Sequence, residues 1–262
     1  MRFANKTVLI TGGGTGIGAA VARRMASEGA NVALVGRRKE PLQAVAEEIG
    51  GHAFSADAAD GASMKAVVRE IVGQFGSLDI VIANAGGHGV GPTITMTDET
   101  WHQAARLNLD TVFVTARETL PELIKSKGNI VVLASIAGLF AGPDAIGYVT
   151  MKHGCIGLAK SLARDYGKHG VRTNTVCPGW VDTAMADEQM EVLVQKHGLA
   201  SIQDAYRLVT KDVPLGRPAS AVEVSNVVCF LASNEAAMCN GSVITVDGGA
   251  GTVDLPTLAF AS

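Results

Sequence analysis

Residues Thr7 to Gly18 read Thr-Val-Leu-Ile-Thr-Gly-Gly-Gly-Thr-Gly-Ile-Gly. A β-branched run ends at Thr11 and a glycine cluster follows. From Ile17 to Ser27 the residues Ile17, Val21, Ala22 and Met25 then fall on one helical stripe. The stretch reads strand, glycine turn, helix. Glycines at such a turn let the backbone approach a pyrophosphate, whose charge meets the helix N-terminus. The spacing is Gly12-xxx-Gly16-x-Gly18, with Thr15 and Ile17 between, rather than G-x-G-x-x-G. The plainer reading is a glycine-rich turn with no ligand.

Outward from this stretch, strands and helices alternate. Strands are expected at Asn31–Val35, His52–Phe54, Asp79–Ile82, Asn129–Leu133, Val171–Val176 and Ser242–Val246. Helices are expected at Lys39–Ile49, about Gly61–Phe75, Asp98 to about Lys125, Ala145–Tyr166 and Ala219–Leu231. Thr97 or Asp98 caps the long one, and Pro121 should kink or end it near Leu120. Alternation predicts a parallel sheet with helices on both faces, joined by right-handed crossovers. The only long insertion, about residues 182–214, is helix-prone and reads as a substrate lid.

With 262 residues the chain suits one large α/β domain spanning 1–262. Net charge is -3 with no dense basic tract, so neither nucleic acid nor an anionic membrane is an expected partner. The uncharged stretch Ile80–Thr97 is broken by Gly86, Gly87, Gly89, Gly91 and Pro92, which argues against a membrane span. Cys155, Cys177, Cys229 and Cys239 show no CxxC or metal-site spacing, so no metal and a reduced, cytoplasmic setting are expected. An apolar run beginning at Thr7 leaves little room for a secretory signal.

The second strand ends Val35-Gly36-Arg37-Arg38. Where a dinucleotide site usually has a carboxylate for the adenosine ribose, two guanidiniums stand instead. Arginine's planar fork of donors suits a phosphate, so NADP(H) is favoured and NAD(H) stays possible. Thr15 lies near the same phosphate without a charge. The alternative is that Arg37 and Arg38 are a solvated helix start.

Tyr148 and Lys152 stand four apart in Gly147–Gly154, one turn apart on a helix face. An ammonium beside a phenol stabilises the phenolate, and such a phenol can give or take a proton in a transition state. Taken alone, the pair reads first as a packed tyrosine with a solvated lysine one turn away.

The motifs Thr11-Gly-xxx-Gly-Ile-Gly18, Asn84-Ala-Gly86, Asn108, Ser135, Tyr148-xxx-Lys152 and Pro178-Gly179, in order, resemble the short-chain dehydrogenases/reductases in their single-domain branch. The resemblance covers Lys6 to about Gly249. It implies a doubly wound, Rossmann-type parallel sheet of seven strands. It also implies that Tyr148 is general acid for ketone reduction and base for alcohol oxidation, with Lys152 favouring the phenolate and holding the nicotinamide ribose. Ser135 hydrogen-bonds the substrate oxygen, and Asn108 fixes a water linking Lys152 to solvent. Asn84 and Gly86 flank the cofactor, Asp57 binds the adenine, and Pro178, Gly179, Val181 and Thr183 meet its nicotinamide end. The family is usually tetrameric. Gly154, Gly157, Ala159 and Ala163 are consistent with close helix pairing in a homotetramer. His153 and Cys155, beside the lysine, read as packing residues, and nothing supplies the paired base a reactive thiol needs.

The substrate is less legible. Trp180, Met185, Met190, Leu193, Val194 and Leu199 give the lid an apolar character suited to a free, fairly hydrophobic ketone or alcohol, unless they pack the lid to itself. His88, after the cofactor loop, reads as a pocket or a solvated residue. Two rivals stand beside this reading. A 3-oxoacyl-carrier-protein reductase would need a basic patch, for which Lys125, Lys127, Arg164 and Arg172 are available. A non-catalytic nucleotide-binding regulator would not need Asn108, Ser135, Tyr148 and Lys152 together.

Overall fold

The computed structural model describes residues 1–260. Its first half lays down β1 (Thr7–Thr11), α1 (Gly16–Ser27), β2 (Asn31–Gly36), α2 (Lys39–Ile49), β3 (His52–Ser55), α3 (Gly61–Phe75) and β4 (Ile80–Ala83). There follow α4 (Asp98–Ala105), α5 (Thr111–Ser126), β5 (Asn129–Leu133), α6 (Ile146–Tyr166) and β6 (Arg172–Pro178). The last third holds β7 (Val181–Asp182), α7 (Ala184–His197), α8 (Ile202–Thr210), β8 (Ala219–Ser220), α9 (Ala221–Ala232) and β9 (Val243–Val246).

Seven strands pair in parallel in the order β3-β2-β1-β4-β5-β6-β9, as expected, and β7 pairs with β8 apart from them. Alternation along β1 sends Leu9 to one core layer and Val8 and Ile10 to the other. Leu9 shares its core layer with Ile71 of α3, Leu123 of α5 and Leu162 of α6. Ile10 shares the other with Met25 of α1 and Val228 of α9. The strand order reverses between β1 and β4, which opens a crevice at their carboxyl ends.

Three expectations are corrected. Pro121 does not end its helix: α5 runs on to Ser126. The carbonyl that Pro121 leaves without a donor belongs to Arg117, and both residues are exposed, so water can serve it. The break comes instead at Arg106–Asp110, a π turn between α4 and α5. Helix α9 begins at Ala221 because Ser220 and Glu223 form a capping box, and Ala219 joins β8.

Packing also redistributes side chains that looked available. Met190 is fully buried between α7 and α8 with Ala186, Ala205 and Tyr206, and Leu193, Val194 and Leu199 pack against them. The apolar residues of the insertion therefore mostly bind α7 and α8 to each other. Ala159 and Ala163 are buried within the monomer, and a Cβ on Gly154 would meet Leu109, so of the small-residue stripe only Gly157 faces open space. Among the described residues no helix is long and apolar enough to cross a membrane.

Candidate active site

The crevice is a groove of about 400 Å³. The glycine turn forms its floor, because the backbone there takes a shape that side chains resist. Gly12 has φ +67°, and a Cβ on it would stand 2.9 Å from Asn84 Nδ2. Asn84 holds the turn from the next strand: its amide donates to the carbonyls of Thr11 (3.0 Å) and Gly12 (3.2 Å). A Cβ on Gly18 would run into the Gly12 carbonyl, so Gly18 serves the packing of α1 on the turn rather than the groove wall. Thr15 caps α1 without a side-chain hydrogen bond, and the first turn carries no acidic residue. The N-terminal N–H groups of α1 are thus left for an anion. Gly12, Thr15, Gly16 and Ile17 all line the groove.

Arg37, Arg38 and Asp57 line the end of the groove beyond β2 and β3. The Asp57 carboxylate accepts from Ala59 N (2.9 Å) and from Arg106 Nη2 (2.8 Å). Burial pushes its pKa up, but those two bonds and the charges of Arg106 and Arg37 outweigh burial and hold it below the ordinary carboxylate value.

At the other end, Tyr148, Lys152 and Asn108 share the groove wall. Lys152 is 96% buried by its 4% exposure, and its Nζ donates to the Leu133 carbonyl at 3.2 Å. Nζ also lies 5.5 Å from the Tyr148 ring centre. Asn108, fully buried in the π turn, accepts from Gly87 N (3.2 Å) and donates to the carbonyls of Ala104 (3.1 Å) and His88 (3.4 Å). Its own carbonyl accepts from the Cys155 thiol at 3.2 Å. Burial pushes that thiol's pKa up, partly offset by the Lys152 charge, so it stays a donor and not a nucleophile. Ser135 stands two residues beyond Leu133, and its Oγ accepts from Ala137 N at 3.1 Å. With an acceptor position used, the hydroxyl proton is free to donate elsewhere.

The remaining expected residues divide. Pro178, Thr183, Met185, Asn84 and Gly86 line the groove, and Thr183 stands beside Gly16. Ser135, Gly179, Trp180 and His88 lie off its wall. Val181 turns its side chain into the core, as its apolar character at a short strand requires. His88 turns to α7: its ring meets Glu188 Oε2 and Gln189 Nε2, each at 3.1 Å. The sequence reading missed Gln103, Arg106, Leu107 and Thr111, which also line the groove. Their 103-107-111 spacing beside Asn108 was the available signal. His153 is exposed and bonds to the Val149 carbonyl one turn back, away from the chemistry.

Known proteins resemble the chain over nearly its whole length. Residues 12–251 match the family described as enoyl-(acyl carrier protein) reductase. Protein MoaE of Klebsiella aerogenes is 48% identical over 98% of this chain and 99% of its own length. Meso-2,3-butanediol dehydrogenase of Serratia marcescens is 36% identical, over 97% of this chain and 98% of its own. An actinorhodin polyketide ketoreductase variant, solved with NADPH, superposes with TM-score 0.90 at 31% identity, over 95% of this chain and 98% of that one. With a glycine turn, a tyrosine–lysine wall and full-length relatives of this kind, the chain belongs to the short-chain dehydrogenase/reductase family of nicotinamide-dependent oxidoreductases.

Proposed function

We propose that this protein interconverts a ketone and a secondary alcohol on a free small molecule with apolar surface, with NADP(H) as preferred cofactor. The observation that carries the reading is one groove with Tyr148, Lys152 and Asn108 at one end and Arg37 and Arg38 at the other. The bound nicotinamide supplies or accepts the hydride. Tyr148 donates a proton to the ketone oxygen in reduction and takes it back in oxidation. On family resemblance Ser135, at the carboxyl end of β5 just outside the groove wall and with its hydroxyl proton free, donates to the same oxygen as charge develops there. The Lys152 ammonium stabilises the phenolate and faces the ribose, and Asn108 holds the loop that closes this end.

Arg37 and Arg38 favour the 2′-phosphate, with no carboxylate at the end of β2 to oppose it. Support for apolar substrate surface is narrower than composition suggests. It rests on Met185, half-exposed at the groove, and on exposed Trp180, Leu139 and Phe140. A homotetramer is part of the proposal on family resemblance.

Reduction of an acyl chain on a carrier protein is the second reading, favoured by the name of the matching family. Its basic patch loses support. Lys125 and Lys127 precede β5, Arg172 opens β6 and Arg164 ends α6, all at the amino end of the strands, opposite the groove. Arg172 is also turned inward, onto the carbonyls of Leu231, Ser233 and Cys239.

A panel of free ketones and secondary alcohols with NADPH and NADH, followed by nicotinamide absorbance, tests the proposal. Turnover of a free ketone, faster with NADPH, is expected. Activity confined to carrier-bound substrates, or to NADH, would contradict it.

A further inference from the structure

Asp57 and Arg106 reach toward one another across the groove. Asp57 lies two residues beyond β3, and Arg106 opens the π turn between α4 and α5. Their contact, Nη2 to Oδ2 at 2.8 Å, spans the end where Arg37 and Arg38 also stand. The two side chains are 54% and 32% exposed. An ion pair so exposed adds little to stability. The fold therefore has little need of it, while the groove has a use for both partners.

Each group keeps capacity for a ligand. A carboxylate offers about four acceptor positions, and only Ala59 N and Arg106 Nη2 occupy those of Asp57. The rest suit an exocyclic amine. A guanidinium has five donors and a planar cationic face that stacks on aromatic rings. Asp57 fixes one edge of the Arg106 guanidinium and so restricts its orientation. Gln103, about one turn before Arg106, and Leu107, the next residue, bound the same wall.

We propose that Arg106 is a third cofactor-binding arginine, whose guanidinium, held by Asp57, stacks on the adenine ring and closes the adenosine end of the groove. This rests on the nicotinamide-dinucleotide reading of the site. It separates the roles of the arginines: Arg37 and Arg38 address the 2′-phosphate, and Arg106 addresses the purine shared by NADPH and NADH.

The test measures dissociation constants by nicotinamide fluorescence for NADPH, NADH and reduced nicotinamide mononucleotide, which has no adenosine. Arg106→Met should weaken NADPH and NADH alike, by roughly five- to tenfold, and leave the mononucleotide within twofold. Arg106→Lys, which keeps the charge but lacks the planar face, should lose most of the same affinity. Thermal melting of both variants checks that they are folded. No change with either dinucleotide overturns the proposal. So does a loss confined to NADPH, which would make Arg106 a phosphate ligand. So does an equal loss with the mononucleotide, which would mean that the change only disturbs the π turn and Asn108. Failure of the underlying reading is distinct: the wild-type protein would then bind none of the three.

Discussion

His88 and Glu188 stand 3.1 Å apart, Nε2 to Oε2, although one hundred residues separate them. With the neighbouring Gln189 amide on the other ring nitrogen, at 3.1 Å, the imidazole ties the loop after β4 to helix α7. The His88 carbonyl is in turn held by Asn108. Helix α7, which we propose to be part of a substrate lid, is thereby linked to the wall that carries Tyr148 and Lys152.

Removing that link should loosen the lid without touching the chemistry. His88→Ala loses two hydrogen bonds, together worth about 1–2 kcal/mol. We expect KM for the ketone to rise roughly fivefold or more, with kcat changed by less than about threefold. Limited proteolysis should cut faster within 184–210. Steady-state kinetics matching wild type would show that the contact does not hold the lid.

We propose that cofactor choice rests on the end of β2. Arg37→Asp removes a cation and adds a carboxylate that can accept from the ribose 2′-hydroxyl. KM for NADPH should rise at least about tenfold while NADH improves. An NADPH preference left intact would remove Arg37 from the phosphate site.

Arg172 is a structural residue. Its guanidinium donates to the carbonyls of Cys239, Leu231 and Ser233 at 3.0–3.1 Å, tying β6 to the end of α9. Arg172→Met should cost about 3 kcal/mol of stability, a fall in Tm of roughly 6–12 °C for a chain of this size. The refolded variant should keep its kcat. Urea titration gives the stability, and a loss below about 0.5 kcal/mol would contradict the assignment.

Glu28 is one source of acid sensitivity. The Arg2 hydrogen bonds to Glu28, at 2.6 and 2.9 Å, lower its pKa; burial opposes them, and Arg24 adds to the lowering, leaving it at about 2. A carboxyl with a depressed folded-state pKa stabilises fully above its ordinary value of about 4.3 and loses that contribution as pH falls toward 2. Thermal melts from pH 7 to pH 3 should show Tm falling less steeply in Glu28→Gln than in wild type. Parallel pH profiles would exclude the pair as a contributor.

What was legible in the sequence is what depends on neighbours along the chain. The alternation of strands and helices was readable because apolar period follows from local geometry, and Tyr148 and Lys152 because residues four apart share a helix face. Contacts between distant segments were not readable. Asn108 meets Gly87 across 21 positions, and Arg106 meets Asp57 across 49. Pro121 misled because its effect depends on whether water reaches the Arg117 carbonyl, and Met190 because composition cannot say which way an apolar side chain faces.

The central claim is that Tyr148 moves the proton. Position-specific acid–base catalysis contributes about 10²- to 10⁴-fold. Tyr148→Phe removes only the hydroxyl and leaves the ring beside Lys152. The most direct measurement is single-turnover hydride transfer from NADPH to a ketone that wild type reduces, followed by nicotinamide absorbance, with the NADPH dissociation constant measured alongside. The account predicts a rate reduced by at least about a hundredfold with cofactor affinity within twofold. Transfer within a few-fold of wild type would contradict it.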